Sequence, residues 1–286
     1  MSSDAIIQTR NLCYSYGGAA ADALKDVSID IERGGSVAVL GGNGAGKSTL
    51  FLNLNGVLKP KSGEVLFGGK PVVFDKKGVN ELRRRVGIVF QNPDDQLFSE
   101  SVRNDIAFGA LNMGASQAEA ARLVEEAARL AGVSDLLDRP THALSFGQKK
   151  RVAIAGVLVM KPDVLILDEL TAGLDPPGVS GIMGLLRQIR KSTGVSLMIA
   201  THDIDIVPLY CDYAYVLHKG ELVMRGAPAE LFRDPAALRS YGLRTPRILH
   251  LMEILKNLDG INIDASAATI SAARAAIKDL LRTYEQ

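Results

Sequence analysis

Short apolar runs alternate with longer amphipathic stretches along most of this chain. Residues 36–40, 86–90, 164–167 and 195–200 are apolar with almost no polar alternation, as in strands buried on both faces. Between them, residues 48–55, 117–131, 148–160 and 178–191 carry apolar positions at helical spacing. Strands that alternate with helices pair in parallel through crossovers, so the pattern predicts an α/β core. Two earlier strands, 6–14 and 27–31, have only a Gly- and Ala-rich connection at 17–23 between them. With no helix to cross over, they are expected to form an antiparallel layer beside the core.

The stretch 117–138 is rich in Ala, Glu and Arg, and the whole of about 102–160 reads as a helical subdomain inserted into the α/β core. From Leu243 the texture changes again. Ile248, Leu251, Met252, Leu255 and Leu258 follow helical spacing, as do Ile270, Ala273, Ile277, Leu280, Leu281 and Tyr284. The division expected is residues 1–242 as one nucleotide-binding unit and 243–286 as a C-terminal helical extension, which either adds a contact to a second chain or packs on the first unit.

Composition narrows the class without naming a chemistry. A net charge of +1 over 286 residues gives no basic field for nucleic acid. The start, Met1-Ser2-Ser3-Asp4, lacks a charged-then-apolar signal, and no apolar run reaches the roughly 18 residues of a membrane span. Cys13 and Cys211 stand far apart in apolar surroundings, expected as buried thiols of a reducing compartment. His142, His202, His218 and His250 are scattered without ligand spacing, so no transition-metal site is expected.

The strongest chemical signal follows the strand 36–40. Gly41, Gly42, Asn43, Gly44, Ala45, Gly46, Lys47, Ser48 and Thr49 form a glycine-rich loop that opens a helix. Glycines let successive N–H groups turn inward into an anion nest, and the helix N-terminus adds partial positive charge. Lys47 suits the β- and γ-phosphates, the Ser48 hydroxyl suits Mg²⁺, and Thr49 suits the α-phosphate. This strand–loop–helix pattern points to a P-loop NTPase and leaves open which kind.

Strand 164–167 then delivers Asp168 and Glu169 at its carboxyl end, the edge where open α/β sheets bind ligands. Asp168 is expected to hold Mg²⁺ through its water shell. Glu169 is expected to orient and deprotonate the attacking water.

Six features now occur in one order: the phosphate loop, Gln91 at the end of strand 86–90, Leu144-Ser145-Phe146-Gly147-Gln148, the Asp168-Glu169 pair, Ala172-Gly173-Leu174-Asp175, and His202 after strand 195–200. Together they resemble the ATP-binding cassettes of ABC proteins over most of the chain. The resemblance implies a parallel core sheet with an antiparallel β layer and a helical subdomain. It also implies a head-to-tail dimer over two ATP molecules. Ser145, Phe146, Gly147 and Gln148 of one chain would then serve the γ-phosphate held by the other, with Asp175 in the D-loop between them. Gln91 would join Ser48 and Asp168 around Mg²⁺, His202 would hold the γ-phosphate, and Tyr16 would stack on adenine. Two positions depart from the family. Phe146 replaces a more usual glycine, and Leu170 replaces a proline, which implies a less firmly aimed Glu169.

Residues 90–98 (FQNPDDQLF) and 102–109 (VRNDIAFG) resemble the ATPases of energy-coupling-factor importers for vitamins or transition-metal ions. Phe146 and the run 149–160 (KKRVAIAGVLVM) resemble the cobalt and nickel members. This implies a peripheral protein on the cytoplasmic face of the membrane, with an integral membrane partner docking near Pro93, Leu97 and Phe98. A DNA-repair ATPase would carry long coiled coil before the signature, and a translation factor two cassettes. An inactive regulatory subunit would lack Lys47, Glu169 or His202.

Overall fold

The computed structural model describes residues 4–17 and 21–284. Residues 1–3, 18–20 in the middle of the 17–23 connection, 285–286, and the side chains of Thr283 and Tyr284 lie outside them. Among the described residues the strands and α-helices follow in order: β1 (Ala5–Tyr14), β2 (Leu24–Val27), β3 (Asp30–Glu32), β4 (Ser36–Leu40), α1 (Lys47–Leu54), β5 (Ser62–Phe67), β6 (Lys70–Pro71), α2 (Lys76–Arg85), β7 (Val86–Val89), α3 (Val102–Asn112), α4 (Gln117–Ala131), α5 (Phe146–Leu158), β8 (Val164–Asp168), α6 (Pro176–Thr193), β9 (Ser196–Ala200), α7 (Val207–Tyr210), β10 (Tyr213–His218), β11 (Glu221–Gly226), α8 (Pro228–Leu231), α9 (Pro235–Ser240), α10 (Arg247–Asn257) and α11 (Ile270–Tyr284).

The core sheet runs β11-β10-β4-β9-β8-β7, parallel from β10 to β7, with β11 antiparallel at the edge. Every residue of β4, β8 and β9 is buried. Leu165, Ile166 and Leu167 are fully covered, each worth about 1.5–3 kcal/mol of transfer free energy. One sheet face packs on α1 and the antiparallel layer through Val37, Val39, Leu50, Phe51 and Ile166. The other packs on α3 to α6 through Ala38, Leu40, Ile154, Leu165 and Ile182.

The antiparallel layer is larger than the pattern predicted. The apolar stretch 27–31 is two short strands, β2 and β3, both paired with β1, and β5 and β6 complete the layer. β5 escaped notice because Ser62, Gly63 and Glu64 are exposed, leaving no apolar run to read. α2 escaped because it buries only Leu82. β10 and β11 add two core strands beyond those expected. Cys211 is buried as expected, and burial pushes its thiol up to about 12, but Cys13 is only half-buried.

The C-terminal helices α10 and α11 enclose a small cluster of Met252, Ile263, Ala267 and Ala273. Leu251, Leu258, Ile270, Ile277 and Leu281 from the same periodic stripe stay exposed. Among the described residues no helix is long and apolar enough to cross a membrane.

Candidate functional site

The carboxyl edge of the core sheet gathers the polar residues. β4, β9 and β8 are in register, with Val39 opposite Ala200 and Asp168 opposite Ala200, so the segments that leave them begin side by side. β7 pairs Val89 with Leu167, which puts exposed Gln91 at the same edge.

The loop after β4 needs its glycines. Gly41 has φ 156°, and a Cβ there would stand 2.5 Å from the Leu217 carbonyl oxygen. Gly46 caps α1 with φ 105°, a conformation rarely open to L side chains. The loop is tied to the β10–β11 turn by the Gly220 N–H donating to the Ala45 carbonyl, 3.0 Å. Lys47 is buried. Its Nζ donates to the carbonyls of Gly41 (2.8 Å) and Gly42 (3.2 Å) and lies 3.6 Å from Oε1 of Glu169. Two carbonyls of the loop thus hold the ammonium within it.

Ser48 donates its hydroxyl to Oδ2 of Asp168, 2.7 Å. Burial, with the neighbouring Glu169, raises the Asp168 carboxyl above its ordinary value, against the Ser48 hydrogen bond and Lys47. A hydroxyl and a buried carboxylate at hydrogen-bond distance are two hard oxygen donors, a set that fits Mg²⁺ better than a softer ion. Glu169 follows at φ 48°, its N–H donating to Ala200 at 3.2 Å. Oε2 of Glu169 stands 2.6 Å from Nδ1 of His202, so an ionised Glu169 accepts from an Nδ1–H tautomer. His202 is exposed, whereas Glu169 is buried. One carboxylate therefore contacts both the phosphate-loop lysine and the histidine after β9.

Tyr16 is half-exposed. Its hydroxyl lies 3.0 Å from the Thr49 hydroxyl, and its ring meets Tyr14 edge-on. Ser145 caps α5 by accepting from the Gln148 N–H, while the Gln148 side chain accepts from Ser145 N–H, a reciprocal capping box. The helix therefore begins at Phe146, two residues before the expected start. Asp175 caps α6, accepting from Gly178 at 2.9 Å. Ser145, Phe146 and Asp175 are exposed. Among the described residues, none of Ser145 to Gln148 makes a hydrogen bond or ion pair to the phosphate loop of the same chain.

Near Gln91, Pro93 is buried and begins a single helical turn, and Leu97 packs against the core. Phe98 alone of the three residues expected to receive a partner is exposed. It meets Phe108 edge-on, and the two border a groove of about 470 Å³ that also includes Ile88, Met113 and Met160. Pattern reading missed Lys150, which lies fully buried beneath Phe146 and donates to the carbonyls of Leu170 and Ala172. Its only sequence signal was its place four residues after Phe146 and four before the buried Ile154.

Comparison with known proteins decides the family. The ABC transporter family profile matches residues 24–172. The energy-coupling factor transporter ATP-binding protein EcfA3 of Clostridium perfringens is 54% identical over 274 residues, 96% of either chain. The chain is an ABC transporter ATPase of the energy-coupling-factor group. The EcfA protein of Methanocaldococcus jannaschii is 49% identical over 91% of this ATPase and 92% of its own length. Among solved structures, cbiO1 from Clostridium perfringens, part of the ABC transporter complex cbiONQ, superposes with TM-score 0.77 at 55% identity. That match spans 88% of the ATPase and all of cbiO1. A dimeric ATP-binding cassette in a post-hydrolysis state with ADP and Pi matches with TM-score 0.69 at 26% identity, over 78% of the ATPase and 98% of its own chain. The ATPase binds and hydrolyses ATP, and its fold is the expected α/β cassette.

Proposed function

We propose that this ATPase powers a cobalt importer of the energy-coupling-factor type, as a head-to-tail pair of identical chains on the cytoplasmic face of the membrane. The observation that carries the reading is the likeness to the whole of cbiO1, over 88% of this chain, joined to Phe146 and the 149–160 run that resemble the cobalt and nickel members. Pairing is supported by the dimeric cassette and by the exposure of Ser145 and Phe146.

In this account the loop 41–49 cradles the phosphates, Lys47 neutralises β- and γ-oxygens, and Tyr16 leaves Thr49 to cover the adenine. Ser48, Asp168 and Gln91 would hold Mg²⁺, which neutralises developing phosphate charge when bound. Glu169 takes the proton of the attacking water, a contribution of about 10²–10⁴-fold. His202 orients Glu169 by donating its Nδ1–H, and it would donate to the γ-phosphate from the far ring nitrogen when that nitrogen carries a proton as well. The other chain contributes Ser145, Gly147 and the N-terminus of α5. Asp175 lies in the seam between chains. ATP joins the two halves and hydrolysis loosens them, a cycle passed to the membrane subunit through a helix seated by Phe98 and Phe108. The cassette would occupy residues 1–242, with 102–160 as its helical subdomain and 243–286 as an extension.

The test is uptake in vesicles holding the ATPase with its co-purified membrane subunits. Labelled cobalt should enter with ATP and not when Lys47→Ala replaces the native chain. Nickel or vitamin uptake without cobalt uptake would move the assignment to those members, and uptake of no solute would end the importer reading.

A further inference from the structure

A fully buried lysine is an unusual occupant of a helix that the cassette needs for phosphate contact. Lys150 lies in the second turn of α5, and its Nζ donates to the Leu170 carbonyl and, at 2.8 Å, to the Ala172 carbonyl. The Phe146 ring, one helical turn before it, closes over the ammonium with 4.9 Å from Nζ to the ring centre. The same ring rests on the backbone of Gly173, where an added Cβ would stand 3.0 Å from Cε1.

The backbone so gripped belongs to the catalytic carboxylate. Glu169 sits at φ 48°, a costly conformation for a side-chain-bearing residue. The Ala172 N–H donates to the Glu169 carbonyl at 3.0 Å, closing a tight turn, and Leu174 N–H donates to Thr171 at 3.3 Å. Leu170 has no ring to fix its φ, unlike a proline. Two carbonyls of that turn are instead tied to one ammonium, and Leu170 itself is buried. Burying that charge is unfavourable and lowers the Lys150 pKa to about 8, despite the nearby Glu169. The cost is offset only by what the ammonium holds.

We propose that Lys150 is a positioning residue for hydrolysis: by holding the Leu170 and Ala172 carbonyls it aims Glu169, and Phe146 seals it in place. This rests on Glu169 as the base.

The test compares purified full-length Lys150→Met, Lys150→Gln and Glu169→Gln in steady-state hydrolysis, fluorescent ATP-analogue binding and circular dichroism. Folded Lys150→Met should keep analogue affinity and KM within about twofold while kcat falls about 30-fold, the pattern of misaimed chemistry. Lys150→Gln keeps N–H donors but ends one bond short, and should recover to about fivefold below the native rate. Native kcat in folded Lys150→Met overturns the proposal, as does a loss carried by KM. If Lys150→Met does not fold, Lys150→Gln decides: kcat lowered at unchanged affinity upholds it, and native kcat overturns it. Glu169→Gln separates the two readings, because hydrolysis surviving there removes the base while an inactive Glu169→Gln leaves the Lys150 result to stand on its own.

Discussion

His202 Nδ1 stands 2.6 Å from Oε2 of Glu169, while the other oxygen of the same carboxylate lies 3.6 Å from Lys47 Nζ. The carboxylate is thus fixed at two points before a water is placed against it. Glu169→Gln should retain ATP and lower turnover by about 10²–10⁴-fold. His202→Ala should leave binding intact and lower kcat by about 10²-fold through lost orientation. Rapid-quench hydrolysis alongside equilibrium binding separates the effects, and near-native turnover in Glu169→Gln would remove it from the role.

Asp168 predicts a trade between stability and activity. Its carboxyl is raised from 3.8, first by burial and then by Glu169, so ionising it costs the folded chain more than the unfolded one. That cost enters as pH rises from about 3.8 through the folded value and is fully present above it. Asp168→Asn should therefore melt higher at neutral pH while losing Mg²⁺-dependent hydrolysis. A lower melting temperature would contradict the assignment of the strain to this charge.

Lys150 gives a second pH signature, of opposite sense. Its folded pKa is lowered from 10.5 to about 8 by burial. Between those values the unfolded chain holds a proton that the folded chain has released, so stability rises with pH. Cys211, raised from 9.0, and Tyr215, raised from 10.0, each to about 12, act the other way as pH rises, but equally in Lys150→Met. The urea midpoint of the native chain minus that of Lys150→Met should increase from pH 8 to pH 10. A difference independent of pH would mean the ammonium is not buried as described.

Two loop glycines should respond differently to one methyl group. At Gly46, φ is 105° and a Cβ would meet the Ala23 carbonyl oxygen at 2.8 Å, whereas at Gly42 nothing lies within 4 Å. Gly46→Ala should cost about 1–3 kcal/mol and abolish nucleotide binding. Gly42→Ala should change stability by less than about 0.5 kcal/mol. Urea denaturation of both variants checks the contrast.

The buried parallel strands and the loop 41–49 were legible because burial on both faces writes an unbroken apolar run, and phosphate binding writes glycines before Lys47. Glu169 and His202 were legible because each leaves such a run at its carboxyl end. β5, β6 and α2 were not, since β5 opens on three exposed residues, β6 is exposed throughout and α2 buries only Leu82. Lys150 was hidden for another reason: in Lys149-Lys150-Arg151 three neighbouring cations look alike, and only the helical phase set by Ser145 turns the middle one inward. Lys149 meanwhile pairs outside with Asp94 at 2.6 Å. The partner of the Leu170 carbonyl was hidden in the same way, because Lys150 lies twenty residues earlier in the sequence.

Mixing two inactive variants tests whether each ATP is hydrolysed by residues of two chains. Lys47→Ala keeps its signature, and Ser145→Arg keeps its phosphate loop. In a mixed pair one of the two sites regains both intact halves. Half of randomly formed pairs are mixed, so hydrolysis should return to about a quarter of the native rate per chain, from near zero in either variant alone. A mixture as inactive as its components, or full activity in Ser145→Arg by itself, would contradict the shared site.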